Sequence, residues 1–233
     1  IVNASYIPLC HTIKEMIRLS KGRFHCALSI TGIALEMFQQ FAPEMIDILK
    51  ELAETECVEF VATPYAYSLA TVYSETEAAE QLKLQQAMVK ELFGVQSTTI
   101  CNAELVYSDE IAIQLHQLGF KTVMTEGAKH ILSWKSPNYV YQSASVPKMK
   151  VLLRNGNVSD ELAFHFADPN WYNYPMDAEK FTSQLAALPE EEQVTNIWVD
   201  AETFGIRQHG SCGIFDFLKA LPYHAMDKSI GFM

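Results

Sequence analysis

The sequence has no basic patch, no long apolar run and no cysteine or histidine framework, and each absence removes a class of function. Its 17 Lys and Arg are scattered among 28 Asp and Glu, for a formal charge of -11. Nothing gathers the positive charge that a nucleic-acid backbone requires, so nucleic acid is excluded as a partner. No segment approaches the roughly 18 consecutive apolar residues of a membrane span. Residues 1–22 lack a basic leader followed by an apolar block and a cleavage site. The chain therefore reads as soluble and cytoplasmic, with no membrane partner. Cys10, Cys26, Cys57, Cys101 and Cys212 are odd in number, widely spaced and set among apolar residues. They read as buried thiols rather than disulfides or a zinc framework. The seven histidines show no paired ligand spacing, so no metal is expected. A Gly-rich phosphate loop, a Gly-x-Ser-x-Gly elbow and a dinucleotide fingerprint are also missing, and no cofactor is expected.

What remains is a chain of 233 residues, 49% of them hydrophobic, enough for one globular domain over residues 1–233. Strand-like and helix-like segments alternate. Residues 23–31 read as a short buried strand, and 33–56 carry Leu35, Phe38, Met45, Leu49 and Leu52 at helical spacing, divided into two helices by Pro43. A strand over 57–63 stops at Pro64, a helix over 75–94 closes at Gly94, and 97–102 is strand-like again. Ser108 caps a helix over 109–119 whose Asp109 and Glu110 suit its N-terminal dipole. Strands at 120–126, 139–142 and 150–154, a helix at 178–188, a strand at 194–200 and a helix at 214–221 complete the order. Such alternation predicts parallel strands with helical crossovers, closed as a barrel or left as an open sheet.

In either architecture, polar residues just past the strand ends mark the working face. Glu104, Glu126, Asp200 and Glu202 stand there. Alternation along a strand predicts that Asp200 and Glu202 point the same way. Tyr65, Tyr67, Tyr107, Trp134, Trp171 and Phe204 are near in sequence and offer aromatic platforms. Carboxylates with aromatic platforms suit a site that handles sugar rings, because one acid protonates the leaving oxygen while another carboxylate attacks the anomeric carbon. Simpler roles are also open. An acid at a strand end can be a helix cap, aromatics taken singly can be core, and Glu126 beside Gly127 can stabilise a turn. His130 and His209 read as structural or surface histidines.

Four segments carry a family resemblance: "VEFVATPYAYSLA" (58–70), "TTICNAELVYSDEI" (98–111), "TEGAKHILSWKSPNYVY" (125–141) and "WVDAETFG" (198–205). Together they resemble glycoside hydrolase family 57, above all its short bacterial α-amylase-like members. The likeness extends through residues 152–166 and 213–222. It implies an incomplete (β/α) barrel of seven parallel strands, with the first strand lying upstream of this chain. It also implies a retaining enzyme on α-1,4-glucans, of the α-amylase or 4-α-glucanotransferase type, acting through a covalent glycosyl-enzyme. The family nucleophile falls on Glu104 and the general acid/base on Asp200, with Glu202 as a neighbour that binds substrate or tunes Asp200.

Three departures are visible. The family's first motif, His-Gln-Pro, is absent. Tyr67 stands where a sugar-binding His is usual, and Ile206-Arg207-Gln208 stands where the short members continue Glu-His-Gln. These departures keep a second reading open, a weakened or inactive relative that still binds α-glucan. Metal-dependent deacetylases and mannosidases on related barrels require His and Asp clusters that the sequence does not contain.

Overall fold

The computed structural model describes residues 1–233. A single π-helical turn over Val2–Tyr6 leads into α1 (Ile7–Leu19), which has a Pro in its first turn. Leu9, Cys10, Ile13, Met16 and Ile17 recur at helical spacing and form its buried stripe. After β1 (Cys26–Ser29), Thr31 caps α2 (Gly32–Phe41) by accepting the Ala34 N–H, and Pro43 opens α3 (Pro43–Glu54). All five apolar residues named from the 33–56 periodicity are buried. β2 (Val58–Val61), α4 (Ala70–Tyr73) and α5 (Glu75–Phe93) follow, the last ended by Gly94 in the left-handed region. β3 (Thr99–Cys101), α6 (Asp109–Gln117), β4 (Thr122–Glu126) and α7 (Lys129–Leu132) come next, with Ser108 capping α6 through the Ile111 N–H. The remainder is β5 (Tyr141–Gln142), β6 (Lys150–Arg154), α8 (Gly156–Asp160) continued by a π-turn over Glu161–His165, α9 (Ala178–Ala186), β7 (Phe204–Gly205), β8 (Gln208–His209) and α10 (Ile214–Asp227).

The strands form an α/β fold with a largely parallel arrangement. β1 pairs with β2, β3 with β4, and β4 with β6, all parallel. A parallel bridge between Ala62 and Ile100 joins β2 to β3, and another between Arg154 and Asn196 sets the 194–200 segment beside β6. The strand ends that bear Thr63, Asn102, Glu126, Arg154 and Asp200 therefore share one face.

Alternation sorts the strand residues into two layers. Ile100, Val123, Val151 and Leu153 enter one core with α6, while Val61, Cys101 and Met124 form an opposite cluster that Leu152 and Trp198 pack against. A larger core of 28 residues lies among α1, α2, α3, α9 and α10.

The strands assemble as sheets of two, four and two members joined by bridges, without a complete seven-stranded parallel barrel. Three expectations need correction. β5 runs antiparallel on β6. Residues 194–200 make only the one bridge, because side chains take over the backbone groups a ladder would use. Arg154 Nε donates to the Trp198 carbonyl at 2.8 Å, and the Trp198 N–H donates to Ser159 Oγ at 3.1 Å. Finally, α10 runs beyond residue 221 through Pro222, which is buried, so tertiary packing overrides the local helix-breaking preference.

Candidate active site

Glu104 lies directly after β3 in a single 3-10 turn, Ala103–Leu105. Both Glu104 and Leu105 have φ of 54°, a left-handed backbone that costs about 1–3 kcal/mol for a residue other than glycine. The surroundings enforce it. Ala103 is buried, Asn102 Nδ2 donates to the Val106 carbonyl at 3.1 Å, and Thr125 Oγ1 donates to the Leu105 carbonyl at 2.6 Å. The turn leaves the Glu104 side chain exposed while its own peptide N–H donates to the Tyr67 hydroxyl at 3.3 Å.

Tyr67 is a third left-handed residue at these strand ends, with φ of 53°. Burial raises the pKa of its phenol; the Glu104 N–H opposes the rise, and the charges of Glu104 and Asp200 add to it. One hydroxyl thus senses two carboxylates that are 96 positions apart in sequence, Glu104 and Asp200. Buried and unpaired polar oxygens gather at the same strand ends and in the Ala201–Thr203 turn: Thr63 Oγ1, Asn102 Oδ1 and Thr203 Oγ1.

Asp200 and Glu202 are not strand neighbours pointing one way. Asp200 precedes a 3-10 turn over Ala201–Thr203, so the two-residue alternation fails and their environments diverge. Asp200 is two-thirds exposed and pairs with Arg207 Nη2 at 3.4 Å. Glu202 accepts a hydrogen bond from the Tyr6 hydroxyl. Burial, then the Glu202 hydrogen bond and charge, then the charge of Asp200, raise the Tyr6 phenol far above its ordinary value, so it is a neutral donor at physiological pH. Ser5 Oγ donates to the Ala201 carbonyl at 2.9 Å, which ties the N-terminal turn to the same loop.

The remaining residues singled out from the sequence are dispersed. The Tyr65 hydroxyl donates to Glu36 on α2 at 2.6 Å, and its ring covers Gly32. The Tyr107 hydroxyl donates to Asp109 at 3.0 Å at the start of α6. Glu126 pairs with Arg154 Nη1 at 3.3 Å. Trp134 is 87% exposed after α7. Trp171 stacks flat on His165, with ring centroids 3.7 Å apart. Phe204 is a correction: it is buried in the main core and presents no platform to a ligand. His130 is exposed, and His209 Nδ1 accepts from the Ser211 N–H at 3.3 Å. No group of three or more His, Cys, Asp or Glu side chains is placed to hold a metal ion.

Sequence reasoning missed Tyr6 and Arg154. Tyr6 has no local signal, because its partner is 196 positions away. Arg154 ends β6 and could have been noticed as a charged residue at a strand end.

The profile of "Glycosyl hydrolase family 57" matches residues 1–232. The chain belongs to glycosyl hydrolase family 57. A Methanocaldococcus jannaschii protein named "Putative alpha-amylase" is 40% identical over 223 residues, covering 95% of this chain and 46% of that protein. The chain thus spans about half the length of that curated relative. Among solved structures, the 4-alpha-glucanotransferase of Thermococcus litoralis aligns with all of this chain and 35% of its own, with a TM-score of 0.80 at 16% identity. The family 57-type branching enzyme of Pyrococcus horikoshii covers 100% of this chain and 63% of its own, with a TM-score of 0.74 at 12% identity. At these identities the structural likeness speaks for the fold. No helix of this family 57 chain is long and apolar enough to cross a membrane.

Proposed function

We propose that this protein is a retaining glycoside hydrolase or transglycosylase acting on α-1,4-glucans. Glu104 is the nucleophile, Asp200 the general acid/base, and Tyr67 and Glu202 orient the sugar. The observation that carries the reading is the Tyr67 hydroxyl, which accepts the Glu104 N–H on the strand-end face that also bears Asp200. In this scheme Glu104 attacks the anomeric carbon while Asp200 protonates the leaving oxygen. Asp200 then takes a proton from the water or sugar hydroxyl that releases the glycosyl-enzyme. The family membership and the M. jannaschii relative support this assignment.

A second reading, a weakened glucan-binding relative, is favoured by one contact, the pairing of Arg207 with Asp200. Arg207 engages only Oδ2, and the pair is exposed, so its hold is weak. The catalytic reading is therefore preferred.

The test is product analysis with a linear malto-oligosaccharide for the protein and its Glu104→Gln variant. Shorter products that vanish in the variant identify hydrolysis, and paired shorter and longer products identify transfer. Sugar binding with no products in either protein establishes the binding reading instead.

A further inference from the structure

A cavity of about 550 Å³ lies between α8 with its π-turn, the Trp171–Tyr172 loop and α9. That volume falls in the range of about 300–1,000 Å³ typical of small-ligand pockets. Neither Glu104 nor Asp200 lines it. Its floor holds Glu161, which is only 8% exposed. One Glu161 oxygen accepts from Trp171 Nε1 at 3.2 Å, from the Tyr172 hydroxyl at 3.2 Å and from Asn173 Nδ2. All three donors are neutral, and the other oxygen accepts no hydrogen bond. His165, stacked on Trp171, has a buried Nδ1 without a partner, its nearest acid being Asp168 at 3.9 Å.

The opposite wall is built by α9 and the residues after it, with Phe181, Leu185 and Leu188 apolar and Gln184 adding an amide. No Lys or Arg lines the cavity, while Asp160 and Glu161 do. Phosphates and carboxylates are therefore disfavoured. An apolar wall facing an under-used carboxylate oxygen and an exposed tyrosine ring suits a pyranose. Such a sugar has a C–H face for the apolar wall and hydroxyls for the charged acceptor.

We propose that this cavity is a second carbohydrate site, separate from the Glu104–Asp200 pair, that holds a short glucosyl segment of an α-glucan. The choice of glucosyl units rests on the glucan reading above. Asn157 and Asp160 also line an adjoining cavity of about 400 Å³ with Glu126 and Arg154, at the ends of β4 and β6. A chain held here would thus lie next to the strand-end face.

The test is calorimetric titration of the full chain with maltotriose, alongside intrinsic fluorescence in a Trp134→Phe background. That background removes the most exposed indole and leaves Trp171 and Trp198, and a further Trp171→Phe change assigns the signal to Trp171 if it abolishes the response. Gln184→Phe fills the cavity from α9, and Tyr172→Ala removes a ring that is 77% exposed. Each is expected to weaken the Trp171-linked binding by about tenfold, Gln184→Phe by occluding the cavity and Tyr172→Ala by removing an aromatic face. Glu104→Gln is expected to leave this binding in place. Wild-type affinity and stoichiometry in both cavity variants would overturn the proposal, as would maltotriose binding with no fluorescence response. Turnover of malto-oligosaccharides without Trp171-linked binding sinks this site alone. Trp171-linked binding without turnover sinks the catalytic reading and leaves the second site standing.

Discussion

The hydroxyl of Tyr6 donates a hydrogen bond to the carboxylate of Glu202, joining the N-terminal turn to the loop that follows Asp200. The bond fixes a half-buried carboxylate that has no cation beside it in the bonding pattern, so its donor matters more than an average one. The Tyr6 ring also packs edge-on against Phe38, with centroids 5.8 Å apart.

Tyr6→Phe keeps that ring packing and removes only the donor. The expected cost is about 1.5–3 kcal/mol, the worth of a hydrogen bond to a charged group. Under the proposed function, Glu202 then holds the sugar less well, and KM rises more than kcat falls. Denaturant unfolding and steady-state kinetics on one preparation check both statements. An unchanged midpoint would show that the hydroxyl contributes nothing.

Gly205→Ala should break the same junction from the other side. Gly205 has φ of 103°, and a Cβ there would meet the Ala4 carbonyl oxygen at 1.9 Å, a contact with backbone that no rotamer relieves. Strain and displacement together are expected to cost about 3 kcal/mol or more, lowering Tm by roughly 6–12 °C for a domain of this size. Calorimetry measures it, and a Tm within about 2 °C of the parent would contradict the close approach.

These contacts also explain which parts of the molecule could be read from its sequence. Pro43, Ser108 and Gly94 act on neighbours within a turn, so the helix boundaries they set were legible. The apolar spacing of α3 was legible for the same reason. Asp200 and Glu202 were misread because alternation assumes a strand, whereas the backbone there is held by Arg154 and Ser159, about 40 positions upstream. Phe204 looked like a platform because it lies near the strand-end acids in sequence, yet the tight seat of Gly205 on Ala4 carries it into the core. The roles given to Glu104 and Asp200 came from family motifs, not from any local pattern.

Alkaline pH should destabilise the fold through its thiols. Burial pushes Cys10 and Cys101 up to about 12 from 9.0. Below pH 9 both folded and unfolded chains keep these protons, and stability is unaffected. Between pH 9 and about 12 the unfolded chain releases them while the folded chain does not, so stability falls as pH rises, by up to about 4 kcal/mol per thiol. Unfolding free energies measured from pH 8 to 10.5 should decline more steeply for the parent than for a Cys10→Ala, Cys101→Ala double variant. Parallel curves would place the alkaline sensitivity elsewhere.

Arg207 offers the sharpest test of what restrains the proposed acid/base. Its guanidinium lies 3.4 Å from Asp200 and 4.7 Å from the centroid of the Phe164 ring, so stacking helps hold it beside the proposed acid/base. An exposed ion pair contributes up to about 1 kcal/mol. Freeing Asp200 by Arg207→Ala is therefore expected to raise kcat by no more than about fivefold. The same pair should weaken with salt, since added ions partly screen an exposed ion pair. Raising ionic strength should then increase kcat in the parent and leave the variant flat. A kcat that falls in Arg207→Ala would reverse the assignment and make the arginine a group that supports the reaction, because removing a mere competitor for Asp200 cannot slow the chemistry.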